Sequence, residues 1–203
     1  MKSLISYISE KMVYTKATAS KYKYHPETKE ELQDLMKQLI EKRGNDGNFN
    51  DIDTSKITDM SGLFSDMKEF NGDISEWIVS NATNIKSMFS GCENFNKDLS
   101  KWDVSNVKNM TGMFTFCKKF NQPLNDWDVS NVTDMRGMFY GCESFNQSLN
   151  KWNTSNVKDV EWMFYRCISF NKNISNWNIS NTTAIKNMFN QCPIEEKYKP
   201  KFK

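Results

Sequence analysis

The chain has 203 residues, and its 27 basic and 25 acidic side chains leave a formal net charge of +2. This near balance argues against the long basic stripe of a duplex-binding protein, so nucleic acid is not an expected partner. No run of 18 apolar residues occurs, which argues against a membrane-spanning helix. Aromatic residues make up 13% of the chain and recur in register, which indicates a folded protein rather than a disordered one.

Residues 1–27 form an N-terminal segment and connector outside any repeat. Serine and glutamate interrupt its apolar residues, and no small-residue cleavage site follows, so we read no secretory signal. Neither end carries an evident lipidation or anchoring sequence, which predicts a chain that is cytoplasmic as made. Two interpretations of residues 1–24 remain open: a loosely packed terminus, or a docking tag that addresses the protein to a partner.

Residues 28–48 contain the clearest predicted helix. Thr28 and Glu31 have the spacing of a capping box, and Gly44 suits the left-handed position just after a helix. Between them the apolar residues fall on one helical face: Leu32, Leu35, Met36, Leu39 and Ile40. A helix directly before a repeat array is best interpreted as an N-terminal cap, and the alternative is a separate binding helix.

Residues 49–192 repeat one pattern with a period of 25. A tryptophan column consists of Trp77, Trp102, Trp127, Trp152 and Trp177, with Ile52 in first place. A cysteine column consists of Cys92, Cys117, Cys142, Cys167 and Cys192, with Met67 in first place. Two phenylalanine columns start at Phe64 and at Phe70. A fixed period of this length predicts stacked units that bury their apolar faces against one another.

Within one repeat, the spacing predicts two kinds of local structure. Trp102 and Val104 alternate with outward polar residues, as in a short strand. Apolar residues from Val107 to Phe120 then recur every three or four positions, which predicts a helical or 3₁₀ return. About six such coils, one strand each, give an α/β repeat fold. Residues 193–203 depart from the pattern and form a lysine-rich tail, interpreted as solvated or as attracted to an acidic surface.

The unit W-[DN]-[VTI]-S-N-[VTA]-x-x-[MVI]-x-x-M-F-x-x-C-x-x-F-N resembles the repeat of BspA-like leucine-rich repeat surface proteins. It is most similar to their 25-residue-repeat branch, first described as a domain of unknown function in mycoplasmas. The resemblance covers residues 52–192. It implies a right-handed leucine-rich-repeat-like solenoid with one short strand per coil, used by bacteria for adhesion or protein binding and without enzyme activity. Members are often exported to the cell surface, whereas this chain shows no export signal.

The cysteine column predicts buried, reduced thiols rather than a metal or redox site. Its members lie 25 residues apart with no Cys-x-x-Cys pair, and Met67 occupies the same column, so the position needs an apolar filler. The tryptophan column is predicted to face the core because Ile52 replaces it. An exposed ladder that stacks on carbohydrate is the alternative. We expect no cofactor and no metal.

Catalytic residues are not evident. The one histidine, His25, lies in the connector, and the chain has no G-x-S-x-G, P-loop or H-E-x-x-H motif. The chain is therefore predicted not to be an enzyme. It is predicted to act as a protein-binding or adhesion scaffold, with carbohydrate as a possible second ligand. The alternative is a structural component that docks into a virion or surface layer.

Residues that differ between repeats mark surface that is free to specialise. One region, on the predicted strands, has mixed charge and comprises Lys101, Asp103, Asp126, Asp128, Lys151 and Asn153. The other, on the predicted returns, comprises Phe116, Arg136, Tyr140, Trp162, Tyr165 and Arg166. Aromatic and arginine side chains are the usual anchors of interfaces, so the second region is the preferred partner-binding site.

Overall fold

The computed structural model describes residues 21–201, so residues 1–20 of the predicted docking tag lie outside the described residues. The helices in this range are α1, Lys29–Arg43, and a 3₁₀ helix, Glu196–Tyr198. The predicted helix is confirmed, because Thr28 Oγ1 accepts from the backbone N–H of Glu31 at 3.2 Å. The Glu31 carboxylate reaches one residue beyond the cap, to the N–H of Glu27 at 2.8 Å. Gly44 ends the helix with a φ of 78°.

After α1, six successive repeats stack on one another through a backbone ladder. At each of the five interfaces, four backbone N–H groups donate to carbonyls 24 residues later in the chain, over 2.7–3.1 Å. In the third repeat the donors are Met110, Gly112, Phe114 and Phe116. The ladder runs through the segment that spacing predicted to be the helical return, so this segment holds neighbouring repeats together.

The predicted α/β fold, a leucine-rich-repeat-like solenoid with one short strand per coil, is wrong. Across residues 21–201 there is one α-helix, one 3₁₀ helix and no strand. Parallel pairing between the six repeats is reduced to one isolated bridge at each interface. The bridged residues are Asp59, Asn84, Asn109, Asp134, Asp159 and Ala184, and none of them lies in a Trp-x-Val segment.

Backbone conformation explains why the ladder does not form strands. Each repeat has two residues of positive φ, four positions apart, such as Gly112 and Phe116 at 60° and 57°. Turns join them, because the N–H of Thr115 donates to the carbonyl of Gly112 at 3.1 Å. Extended strands need φ values near −120° to −140°. The chain therefore presents its N–H groups to the next repeat from a run of turns.

The Trp-x-Val segment is also turned rather than extended. The N–H of Trp102 donates to Leu99 and the N–H of Val107 donates to Val104, both within one repeat. The indole makes the contact between repeats instead. In every repeat that has the tryptophan, its Nε1–H donates to a backbone carbonyl 28 residues earlier, over 2.8–3.2 Å. These five side chains are 3–4% exposed, which confirms that the tryptophan column faces the core.

The core is a set of columns in which equivalent side chains stack. Rings of the column from Phe64 to Phe164 lie 5.5–5.8 Å from their neighbours, nearly parallel. Rings of the column from Phe70 to Phe170 repeat at 5.9–6.0 Å. All ten rings are fully buried. Every repeat therefore gives its neighbours the same apolar surface, which fixes the stacking register.

Asparagine side chains form hydrogen bonds between one turn of each repeat and the same turn of the next repeat. Asn96 donates its backbone N–H to the side-chain oxygen of Asn71 at 3.0 Å, and Asn121 does the same to Asn96 at 2.9 Å. Asn146 and Asn171 continue the series. The side chain thus satisfies a backbone donor that the turn leaves without a partner in its own repeat.

Helix α1 lies along the first repeat. Its apolar face, formed by Leu32, Met36 and Leu39, belongs to the same buried cluster as the repeats. Near its start, Lys29 Nζ donates to Ser61 Oγ at 2.7 Å, and Ser61 belongs to the ladder segment of the first repeat. The helix therefore covers the N-terminal edge of the ladder. Among residues 21–201, no helix combines the length and the apolar character that crossing a membrane requires.

Candidate functional site

The predicted binding residues lie on the ladder segments of the third to fifth repeats. We call this set, Phe116, Arg136, Tyr140, Trp162, Tyr165 and Arg166, the aromatic strip. Three of its side chains form a row along the stack. The ring of Phe116 meets Tyr140 edge-on with centroids 4.9 Å apart, and Tyr140 stacks on Tyr165 at 4.9 Å. Neighbouring repeats thus bring together residues that are 24 and 25 positions apart in sequence.

A second contact lies one turn earlier in the same segments. The guanidinium of Arg136 lies 4.5 Å from the centroid of the Trp162 ring, and it also approaches the carboxylate of Glu161 at 3.9 Å. Stacking on an indole holds the planar guanidinium in place, and 44% of the Arg136 side chain stays exposed. The arginine is thereby presented as a preorganised donor of hydrogen bonds.

Half of the aromatic strip occupies backbone positions that favour glycine. Phe116, Trp162 and Arg166 have φ values of 57°, 55° and 58°. Elsewhere in the stack the same two positions are filled by five glycines and by four small or polar residues: Gly62, Gly91, Gly112, Gly137, Gly141, Asp66, Ser87, Asn187 and Gln191. A left-handed conformation costs a residue with a side chain about 1–2 kcal/mol. Bulky side chains are therefore held here against the backbone preference of the repeat.

An open groove of about 650 Å³ runs beside the strip, along the stack axis. Phe116 and Arg166 belong to its lining, together with Gly91, Gly141 and a row of charged residues. The charged row alternates in sign: Lys118 binds Glu93 at 2.6 Å, and Lys68 approaches the same carboxylate at 3.5 Å. These pairs lower the pKa of Glu93 and raise that of Lys118, chiefly through their hydrogen bond. Three of the six charged residues in the groove lining are thus joined in ion pairs.

Ile168 is a groove residue that the sequence reasoning missed. It is 59% exposed, the largest exposure among the large apolar side chains of residues 21–201. The signal was present, because the preceding repeats place Lys68, Glu93, Lys118 and Glu143 in that column. An isoleucine in a column of charged residues is a departure of the same kind as those that define the aromatic strip. With Phe116 it gives the groove two exposed apolar contacts.

The mixed-charge region lies apart from this groove, because none of its residues belongs to the groove lining. Its six residues, Lys101, Asp103, Asp126, Asp128, Lys151 and Asn153, are all exposed. Lys151 and Asp126 form an ion pair of 2.7 Å between strongly exposed side chains. Such pairs contribute little free energy, because water and salt screen them. The region offers charge without apolar anchors.

The cysteine column is free of disulfides, as predicted. Cys117, Cys142 and Cys167 are buried, and desolvation raises their thiol pKa well above the usual value. Burial also raises the pKa of Cys92 to about 12. The thiol of Cys117 donates to the carbonyl of Phe89 at 3.0 Å, and Cys92, Cys142 and Cys167 make the equivalent bond, whereas Cys192 donates to Phe170 at 3.5 Å. These groups are therefore protonated packing residues.

Among residues 21–201 no cluster of histidine, cysteine and carboxylate side chains has the arrangement of a metal site. His25, on the connector, lies 3.3 Å from the carboxylate of Asp53 in the first repeat. It belongs neither to the groove lining nor to the aromatic strip. The site thus consists of aromatic stacking surfaces, two arginines and a shallow groove. This arrangement suits recognition by contact.

A family model matches the chain over two stretches. The model of a family described as Mycoplasma protein of unknown function, DUF285, matches residues 33–134 and again residues 100–199. No curated protein and no solved structure matches the chain. The two overlapping matches together span most of the chain, from within α1 to the C-terminal 3₁₀ helix. The chain therefore belongs to the DUF285 family of Mycoplasma proteins of unknown function.

Proposed function

We propose that this protein is a non-enzymatic scaffold that binds a protein partner through the aromatic strip. The stack of repeats supplies a rigid support, and the strip supplies stacking surfaces and two arginines. Aromatic and arginine side chains dominate the binding energy of protein interfaces. The resemblance to BspA-like surface proteins supports adhesion as the setting for this recognition.

The observation that carries the proposal is the positive φ of Phe116, Trp162 and Arg166. Residues held in costly backbone conformations concentrate at functional sites, where the cost serves another purpose. Glycine fills five of the twelve equivalent positions at no such cost, and the two aromatic residues among the other seven are Phe116 and Trp162. Trp162 and Arg166 in particular lie on the surface and do not fill the core of the repeat. Binding is the benefit that offsets the backbone strain.

The test compares partner capture by three forms of the full chain. One is unchanged, one carries Tyr140→Ala, Trp162→Ala and Tyr165→Ala, and the control carries Lys101→Ala, Asp128→Ala and Lys151→Ala on the mixed-charge region. Each is incubated with lysate and isolated envelopes of the host organism. The proposal expects one specific protein to be captured by the unchanged and control forms and lost by the aromatic variant.

Retention by the aromatic variant combined with loss by the control would move the site to the mixed-charge region. Capture of nothing by any form would contradict the proposal and favour a structural component of a larger assembly. Circular dichroism and the unfolding midpoint of each variant show whether a loss of capture reflects a loss of fold.

A further inference from the structure

The backbone ladder has a direction. At all five interfaces its N–H groups belong to the earlier repeat and its carbonyls to the later one. The edge of an ordinary β-strand instead presents N–H and C=O groups in alternation. Each repeat here therefore presents ladder donors toward the C-terminal end of the stack and ladder acceptors toward the N-terminal end.

The last repeat leaves this donor edge open. Its ladder donors include the N–H groups of Ile185, Asn187 and Gln191, and among residues 21–201 none of these three has a hydrogen-bond acceptor. The side chain of Ile185 is also uncovered. It is 39% exposed, whereas the equivalent residues of the five earlier repeats are at most 1% exposed: Met60, Ile85, Met110, Met135 and Val160.

The chain that follows the last repeat packs elsewhere. Pro193 has no N–H to contribute, and the 3₁₀ helix Glu196–Tyr198 turns the chain toward the fifth repeat. The carbonyl of Tyr198 accepts from the N–H of Ile174 at 2.9 Å. Ile194 and Pro200 are buried in this turn. Residues 193–201 therefore cover a different side of the stack end, and within residues 21–201 the N–H groups of Ile185, Asn187 and Gln191 keep no acceptor.

We propose that this donor edge docks one further repeat coil supplied by another protein of the same repeat type. The edge consists of the N–H groups of Ile185, Asn187 and Gln191 and the side chain of Ile185. Five interfaces within the chain show what fits such an edge: a segment that presents a carbonyl at every second residue and an apolar side chain between them. This inference rests on the ladder edge alone and is independent of the aromatic strip.

A second copy of this chain does not satisfy the edge. Two C-terminal edges that face each other would set ladder donors against ladder donors, because the carbonyls that accept from the next repeat, such as those of Thr83 and Glu93, lie outside the ladder segment. The acceptor edge of a second copy lies under α1, where Lys29 binds Ser61 and Leu32 and Met36 are buried. The cap thus blocks head-to-tail chains of identical molecules, which an open edge otherwise favours. The occupant must expose the acceptor edge of its first coil.

The experiment uses the full chain labelled with ¹⁵N, under reducing conditions, and a synthetic peptide with the sequence of residues 102–126. A scrambled peptide of the same composition is the control. An isolated coil must be ordered on binding, so a dissociation constant of roughly 10⁻⁴ to 10⁻³ M is expected. The proposal predicts shifts of the amide signals of Ile185, Asn187 and Gln191, with slower hydrogen exchange at the same amides.

Two matched variants localise the effect. Ile185→Lys places a charge on the edge and should weaken peptide binding at least about tenfold, which corresponds to 1.4 kcal/mol. Ile168→Lys replaces a more exposed isoleucine in the groove and should leave peptide binding unchanged. Because Ile168 lines the groove and not the ladder edge, peptide binding that survives Ile168→Lys belongs to the edge and is distinct from the function proposed for the aromatic strip.

Shifts confined to other surfaces, equal binding of the scrambled peptide, or no binding at millimolar peptide would each overturn the proposal. Concentration-dependent self-association of the unliganded chain with the same amide shifts would do so too, because it would make a second copy the occupant.

Discussion

The ring of Phe116 lies directly against the backbone of Gly141 in the next repeat. A Cβ placed on Gly141 would be 2.6 Å from Phe116 Cδ1, which is too close for two carbon atoms. Gly91 has the same relation to Asp66 two repeats earlier. The orientation of Phe116 therefore depends on a glycine 25 positions away.

Gly141→Ala is expected to displace Phe116 and to destabilise the fold. Its control is Gly62→Ala, since Gly62 also has positive φ but has no atom within 4 Å of the added Cβ. Both substitutions introduce about 1–2 kcal/mol of backbone strain. Gly141→Ala should cost about 1 kcal/mol more, because the contact between Phe116 and Tyr140 is lost. Urea unfolding measures the difference, and equal losses would show that Phe116 does not rest on Gly141.

Arg166→Gly is expected to leave the fold as stable or more stable while weakening partner binding. Glycine relieves the left-handed backbone at residue 166, for a gain of up to about 1 kcal/mol. Ser87→Gly makes the same change at another positive-φ position, outside the aromatic strip. Both variants should unfold at equal or higher urea concentrations. A partner that binds them equally well would remove Arg166 from the site.

Only Trp162 should be accessible to an aqueous quencher of tryptophan fluorescence. The five tryptophans of the column are 3–4% exposed, whereas Trp162 is half-buried at the surface. Iodide should therefore quench a minor fraction of the emission, and Trp162→Phe should abolish that fraction. Quenching of most of the emission would contradict the buried column and revive the carbohydrate-stacking alternative.

Cys192 should react with a thiol reagent before the other cysteines. It is partly buried, and burial raises its pKa to about 11, whereas the other four thiols are fully enclosed. The thiolate is the reactive form, so all five cysteines should react slowly at pH 8. Cys192 should react faster than the other four. A Cys192→Ser variant should lose the first phase seen with Ellman's reagent. Simultaneous reaction of all five thiols in the folded protein would contradict this order.

Asp159 and Asp128 should show opposite effects of replacement by asparagine. Desolvation, aided by Asp134 and Glu161, raises the pKa of Asp159, whereas hydrogen bonds from Ser130 lower that of Asp128. An ionised Asp159 therefore opposes folding, and an ionised Asp128 favours it. Asparagine already serves both columns, at Asn109 and at Asn153.

At pH 7, Asp159→Asn should thus stabilise the fold by roughly a few tenths of a kcal/mol, and Asp128→Asn should destabilise it. Because the pKa of Asp159 is raised in the folded state, its ionisation destabilises the fold as the pH rises through that pKa. Because the pKa of Asp128 is lowered in the folded state, the stability that its ionised form contributes is lost as the pH falls through that pKa. Both effects should fade toward pH 3. Unfolding midpoints at pH 3, 5 and 7 measure this, and effects of the same sign would contradict the assignment.

The sequence predicts the repeat, its buried columns and helix α1, because each depends on spacing that a single chain displays. It does not predict which segment joins the repeats. Trp102 and Val104 alternate like a strand, but the N–H of Trp102 and the carbonyl of Val104 close turns within the repeat. The ladder instead uses residues of positive φ, and only some of these, such as Gly112 and Gly137, are revealed by glycine. Phe116 and Trp162 occupy the same conformations without any such signal.

The aromatic strip was predictable for a related reason. Its members depart from the repeat, and departures are visible without a structure. Their contacts were not predictable, because the pairing of Arg136 with Trp162 depends on a ladder whose position the spacing misplaced. Sequence periodicity thus identifies the variable surface, and the backbone of the ladder determines how that surface is assembled.

The most direct test measures stability and capture on one variant, Phe116→Gly with Trp162→Gly and Arg166→Gly, beside the unchanged chain. The relief of three left-handed residues offsets the lost surface contacts, so the free energy of unfolding should change by less than about 1 kcal/mol. Capture of the partner should be lost. A variant that is strongly destabilised yet still captures the partner would show that these side chains support the fold and take no part in recognition.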